Sequence, residues 1–311
     1  MKIAVVGAGG VGGYFGGLLA TGGHHVSFIS RGEHLRALKE HGLQIKSPHG
    51  DIRISHTIST NDPKEVGQVD YIIIAVKNYH LEDVARQLSP LIGPATTVVP
   101  LLNGVEAHEV LAKEIGRDKV VGGLCTIISM IESPGVIRQT SQIRKIVIGE
   151  LDLSPAERVE RIVKAWADVG VQASQSTNIF SEIWTKFTFI ASFGGVTSLS
   201  RANAGEINKF EGTRKIFMEA MREVENVAVA NGVKLEASAV ESGVKVAQSL
   251  EPTSTSSMQR DVAEGRPFEL EAFSGKIVRL GNELSIETPI HRAIYWLLLP
   301  ALQKVFRNKM R

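Results

Sequence analysis

The sequence predicts an α/β chain in two parts, a doubly wound parallel sheet followed by an all-helical half. Three observations carry this. Apolar strand segments alternate with helical patterns through the first half, the strand signal vanishes after Asn178, and the chain opens on a strand that runs straight into a glycine-rich helix start. The expected domains are 1–177 and 178–311, in keeping with about two domains for 311 residues. With 43% hydrophobic and 22% charged residues, the chain can bury two cores.

The first strand is Ile3-Ala4-Val5-Val6, and Gly7-Ala8-Gly9-Gly10-Val11-Gly12 follows at once. Gly7, Gly9 and Gly12 have the spacing of a dinucleotide-binding turn. The first glycine permits a tight turn, the second lets backbone approach a pyrophosphate, and the third lets helix and strand pack closely. Helix-terminal amides then face the anion. Gly7, Gly9, Gly10, Val11 and Gly12 are therefore the candidate cofactor turn, and the sheet is of the Rossmann type. The other reading, a glycine-rich turn without a ligand, is disfavoured by the strand before it and the apolar helix after it.

The second strand, His25 to Ser30, ends in Arg31, with no acidic residue between Met1 and Ser30. An acidic residue there would hold the ribose 2′-hydroxyl of NAD, whereas an arginine meets the 2′-phosphate of NADP. Arg31 is either a solvated loop charge or that phosphate ligand. Its place at the strand tip favours NADP.

Val69 to Val76 and Thr96 to Leu102 read as strands buried on both faces, with a helix over Leu81 to Leu91 between them. Val136 to Gln139 and Arg144 to Gly149 suggest a hairpin at the sheet edge. Ser154-Pro155 reads as a helix start, that helix reaching about Val169, and Val171 to Ser174 adds a last strand. Helical runs then cover 182–193, 212–231, 236–250, 258–264, 269–284 and 289–306.

Two polar residues stand just after strands: Lys77 after Val76, and Asn103-Gly104 after Leu102. Ligands of open α/β sheets bind at the carboxyl ends of strands, so both point toward a cofactor crevice. Alone, Lys77 also reads as a solvated charge and Asn103-Gly104 as a turn; together they favour function. Lys186 interrupts an apolar helix in which Ile183, Phe187 and Ile190 share a face. It either lays its stem on the surface or is a partly buried ammonium suited to proton transfer. Ser256 and Gln259 read as a capping box, compatible with a helix start that receives a carboxylate. Glu269 opens a further helix and on its own explains itself as a helix-terminus charge.

In this combination and order the residues resemble the ketopantoate reductase (2-dehydropantoate 2-reductase) family, over essentially the whole chain. The resemblance rests on Gly7 to Gly12, Lys77, Asn103-Gly104, Trp184-Thr185-Lys186, Ser256-Ser257-Met258 with Asp261, and Glu269. It implies NADPH-dependent reduction of a 2-oxo acid, 2-dehydropantoate to (R)-pantoate for pantothenate synthesis. Carried over by position, Lys186 is the general acid and Glu269 its carboxylate partner. Ser257 contacts substrate, Lys77 and Asn103 lie near nicotinamide and substrate, and Arg31 matches the 2′-phosphate contact. The sequence departs from the family at three substrate-binding asparagines, which here are Ile190, Gly194 and Ser254. The departures open a second reading, a reductase of a different and more apolar 2-oxo acid. A third, an NADP-binding sensor without turnover, is disfavoured by the presence of both Lys186 and Glu269.

Net charge is +2, which leaves no electrostatic footprint for nucleic acid or membrane. The basic tail Arg307 to Arg311 reads as a solvated end. A single cysteine, Cys125, excludes an internal disulfide and any multi-cysteine metal site, so no metal is expected. Its apolar neighbours suggest burial as a small hydrophobe. A start without a long apolar segment suggests a cytoplasmic protein. The long helices of the second half offer a surface for a homodimer, which nothing in the sequence demonstrates.

Overall fold

The structure, a computed structural model, describes residues 1–55 and 57–309; Met310 and Arg311 of the basic tail lie outside them. The chain divides into two compact units, Met1–Leu102 with Glu106–Ile179, and Asn103–Val105 with Phe180–Arg311.

In the first unit, β1 (Lys2–Val6), α1 (Gly10–Thr21) and β2 (His25–Ile29) follow one another as the sequence predicts, and α2 (Gly32–His41) comes after them. Next come β3 (Leu43–Lys46), β4 (Ile52–Ile54), β5 (Ile58–Thr60), β6 (Val69–Ile74), α3 (Leu81–Ala85), β7 (Ile92–Pro100) and α4 (Ala107–Ile115). The parallel sheet has the order β5-β2-β1-β6-β7. Its register sets Val5 between Phe28 and Ile73, and all three are fully buried. The continuous apolar runs of β1 and β6 reflect burial on both faces.

The remaining strands are β8 (Gly122–Thr126), β9 (Ser129–Ser133), β10 (Val136–Gln139), β11 (Lys145–Gly149) and, after α5 (Glu157–Asp168), β12 (Gln172–Gln175). They form two more sheets, β4-β3-β10-β9 and β12-β11-β8. The expected edge hairpin is therefore corrected. Val136–Gln139 pairs with β3 and β9, while Lys145–Gly149 pairs with β8 and β12, so the polar link between them crosses from one sheet to another.

Helix α1 lies between sheets, and its glycines explain how. A Cβ on Gly16 would come within 2.6 Å of Val5 and 2.9 Å of Phe28 in the parallel sheet. One turn-face away, a Cβ on Gly13 would meet Ile137 at 2.8 Å, and one on Gly17 would meet Ile45 at 2.5 Å, both in the second sheet. Gly16 thus brings the parallel sheet, and Gly13 with Gly17 the second sheet, against the helix backbone. Trp166 of α5 closes the core edge-on to Phe15, with its Nε1 donating to the Phe15 carbonyl.

Two further expectations shift. The helix over Leu81 to Leu91 stops at Ala85, and Ser89–Leu91 is a separate 3-10 turn, because Pro90 has no N–H and disfavours helical geometry at Ser89. The helix expected to start at Ser154-Pro155 has Ala156 as its N-cap. The Ser154 hydroxyl instead donates to Asp152 Oδ1 at 2.6 Å, a local bond that competes with capping. Cys125 is buried.

The second unit contains α6 (Ile179–Ser200, its first residue belonging to the first unit), α7 (Ala204–Lys209), α8 (Glu211–Ala230), α9 (Ala239–Ser249), α10 (Ser257–Ala263), α11 (Lys276–Leu284) and α12 (Pro289–Lys309). α12 is anchored from another helix. The Glu223 carboxylate accepts the N–H groups of Ile290 and His291 at 2.8 and 2.9 Å, satisfying donors that a helix start leaves orphaned. His291 is fully buried between Ser274 Oγ and the Ala220 carbonyl. Since the carbonyl needs a donor, Nε2 carries the proton and Nδ1 accepts from Ser274. Among the described residues, no helix is long and apolar enough to cross a membrane.

Candidate active site

The glycine turn is shaped by backbone alone. Gly7 has φ +96°, a conformation glycine adopts without strain, and its N–H donates to the Ile29 carbonyl at 2.9 Å. A Cβ on Gly12 would land on the Gly7 carbonyl oxygen, whereas a Cβ on Gly9 would meet nothing within 4 Å. Gly9 is the N-cap of α1 and supplies no side-chain cap. A helix start whose N-cap glycine leaves open space where a side chain would stand lets an anion approach the backbone, so these residues fit a dinucleotide.

Arg31, exposed, is the N-cap residue of α2, and its Nη2 lies 2.5 Å from His80 Nε2. An arginine only donates, so His80 accepts through Nε2. This brings the tip of β2 to the turn after β6. Lys77 starts that turn half-buried, with its carbonyl accepting from the His80 N–H. One contact was not foreseen: His34, in the first turn of α2, reaches the Ala8 carbonyl inside the glycine turn at 2.8 Å. Nothing in the spacing of the sequence flags it, because the contact depends on where α2 lands.

In the second unit, Lys186 sits half-buried on α6 among the buried side chains of Ile183, Trp184 and Phe187. Its Nζ donates to Asn103 Oδ1 at 2.9 Å. This bond helps place Asn103–Val105 with the helical unit, although Asn103 directly follows the strand segment of the first. Asn103-Gly104 is also a turn, with Gly104 at φ +93°.

Glu269 is buried. It does not open a simple helix as expected. Its carbonyl accepts from Phe273, and Gly275 then bonds back to Leu270, making a single π-turn over Glu271–Gly275 before α11. Such turns reset the face a helix presents. Phe273, one turn after Glu269, packs edge-on to Phe187 with ring centroids 6.0 Å apart. Glu269's segment therefore lies against α6 beside Lys186.

Ser256 caps α10 by accepting from the Gln259 N–H at 3.0 Å, and it shares a hydrogen bond with Thr197 Oγ1 at 2.9 Å. Only half of the expected capping box forms, since the Gln259 side chain turns to the Ala202 carbonyl. Ser257, the first residue of α10, is exposed, while Ser254 is half-buried and its carbonyl accepts from Ala204. Asp261 pairs with Arg266 at 2.9 Å.

Known proteins share this arrangement end to end. Residues 3–152 match the model for ketopantoate reductase PanE/ApbA, and residues 178–301 match that for its C-terminal part. The chain is 32% identical to the uncharacterized oxidoreductase YkpB of Bacillus subtilis, over 95% of this chain and 97% of that one. It is 28% identical to 2-dehydropantoate 2-reductase of Mesorhizobium japonicum, over 94% and 95% of the two chains. The crystal structure of a PanE/ApbA family ketopantoate reductase from Ralstonia eutropha superposes with a TM-score of 0.90 at 28% identity, covering 98% of this chain and 99% of the other.

The chain belongs to the ketopantoate reductase family.

As a ketopantoate reductase family member it is an oxidoreductase acting on CH–OH groups. The helix face after Lys186 is apolar at the two positions that the sequence singled out. Ile190 is half-buried, and Gly194 is buried where an added Cβ would meet Phe273 ring carbons at 3.5 Å and Met258 Cβ at 3.7 Å. The two turns beyond the lysine therefore carry no hydrogen-bonding side chain at these positions. An aromatic ring occupies the space beside the second.

Proposed function

We propose that the protein reduces a 2-oxo acid with NADPH, with 2-dehydropantoate, giving (R)-pantoate, as the first substrate to consider. The observation that carries the reading is the Lys186–Asn103 hydrogen bond on a helix that also packs the Glu269 segment. Reduction of a ketone builds negative charge on its oxygen, and an ammonium within hydrogen-bond reach stabilises that charge and then supplies the proton. Lys186 takes this role. Asn103 holds its Nζ in place, Glu269 is its carboxylate partner, and the proton given to the alkoxide is replaced from solvent. When bound, the nicotinamide supplies the hydride. The Gly7, Gly9, Gly10, Val11 and Gly12 turn binds the pyrophosphate, Arg31 the 2′-phosphate, and Lys77, Ser254 and Ser257 the polar groups of the substrate.

A second substrate reading has its own support. Ile190 and Gly194 replace amide donors, and a site that loses such donors gives up discrimination for a hydroxyl-bearing substrate. An apolar 2-oxo acid suits that face better.

The test follows NADPH absorbance with 2-dehydropantoate beside a panel of aliphatic and aromatic 2-oxo acids. Turnover of 2-dehydropantoate at least as efficient as any other member supports the first reading, and preference for an apolar member supports the second. No oxidation with any member removes the enzymatic proposal. NADPH and NADH are compared in the same assay, with Arg31→Ala; an unchanged preference in that variant would take the 2′-phosphate away from Arg31.

A further inference from the structure

His34 joins three segments that the sequence keeps apart. It stands on the first turn of α2, its Nε2 lies 2.8 Å from the Ala8 carbonyl, and its Nδ1 accepts the Gly135 N–H at 3.1 Å. Gly135 is in the turn between β9 and β10, at φ +79°, where an added Cβ would meet Ala37 of α2 at 3.1 Å. The two bonds determine the tautomer. Gly135 offers a proton, so Nδ1 is bare; Ala8 offers a lone pair, so Nε2 carries the hydrogen. Only a neutral imidazole satisfies both, and burial holds His34 below its ordinary pKa, with the Ala8 bond opposing that shift.

The peptide it holds matters. A trans peptide directs its C=O and N–H to opposite sides. Pulling the Ala8 carbonyl toward α2 therefore turns the Gly9 N–H away from α2, and Gly9 is the residue whose missing side chain leaves open space.

We propose that His34 is the positioning residue of the cofactor turn, holding the Ala8–Gly9 peptide so that the Gly9 amide faces the pyrophosphate of a bound dinucleotide. The inference rests on reading Gly7 to Gly12 as a pyrophosphate cradle. Binding of ADP-ribose by the unaltered chain checks that reading separately. Arg31 and His34 then divide the first turn of α2 between them, one residue reading the phosphate on the ribose and the other shaping the loop for the diphosphate.

The experiment measures dissociation constants by calorimetry for NADPH, NADH, ADP-ribose and adenosine 2′-monophosphate, which lacks the pyrophosphate. His34→Ala is expected to weaken the first three by about tenfold, the usual worth of one well-placed hydrogen bond, and to leave the fourth unchanged. Arg31→Ala gives the converse pattern, sparing NADH and ADP-ribose. His34→Gln is the conservative variant. Its Nε2 lies the same number of bonds from the backbone as the histidine Nε2, so it can still donate to Ala8 while giving up Gly135. Recovery to within about threefold of the unaltered chain assigns the effect to the Ala8 bond. Unchanged NADPH and ADP-ribose binding in His34→Ala overturns the proposal, as does a loss shared equally by adenosine 2′-monophosphate.

Discussion

The two candidate regions, the glycine turn in the first unit and the surroundings of Lys186 in the second, are built in opposite ways. The glycine turn is shaped through backbone: Gly7 takes φ +96° and Gly12 leaves no room for a side chain. The region around Lys186 is built from side chains, an ammonium held by an amide from a distant loop on a helix whose Phe187 packs against an aromatic from a π-turn. A site made of backbone is written into the sequence as local spacing. A site made of side chains exists only after helices have packed.

The comparison breaks most visibly at Lys186. Lys186→Ala should lower kcat by about a thousandfold, as removal of a general acid does, while NADPH affinity by calorimetry stays within about twofold. If affinity falls with kcat, the two regions are not separable in the way described. The counterpart is Gly12→Ala. Its methyl group lands on the Gly7 carbonyl, so the turn must open, with about 3 kcal/mol lost in urea denaturation and cofactor binding abolished.

What could be read in advance follows this division. The order β1, turn, α1, β2 and the strands ending near Lys77 and Asn103 were legible because burial on both faces leaves unbroken apolar runs. The short strands β4 and β5, Ile52–Ile54 and Ile58–Thr60, carry too few residues to show a period, and they exist because β3 and β2 are there to pair with them. Lys186 was visible as a charge on an apolar helix. Its hydrogen bond to Asn103, 83 positions away, was not. The π-turn after Glu269 and the reach of His34 to Ala8 are likewise products of packing, with no local signature.

Acid offers a test of the helical unit. The buried His291 is pushed down to about 4 from 6.5 by burial, with its bond to Ala220 opposing. Between those values the unfolded chain binds a proton that the folded one refuses. Stability from this group is therefore complete above pH 6.5, falls as pH drops toward 4 and levels off below, a loss of roughly 3 kcal/mol. Glu223, pushed up by burial despite its two backbone hydrogen bonds, acts in the other direction as it takes up its proton. Urea denaturation at pH 7 and pH 4.5 of the unaltered chain and of His291→Gln isolates the histidine. An equal acid loss in both would assign the effect elsewhere. The smallest expected change is Ser256→Ala, which removes the α10 cap and costs about 1 kcal/mol. A thermal melt checks it, and a kcat with saturating 2-oxo acid that stays within about twofold would mark Ser256 as scaffold.

The confinement of α1 between two sheets has a thermodynamic consequence. Its glycines let both sheets pack on the helix backbone, so if Gly7 to Gly12 cradle a pyrophosphate as proposed, the turn is already shaped by packing before the ligand arrives. A ligand then spends little of its interaction energy on ordering the protein. The heat-capacity change of cofactor binding should accordingly track the apolar surface that the dinucleotide itself covers, with no added contribution from folding of the loop.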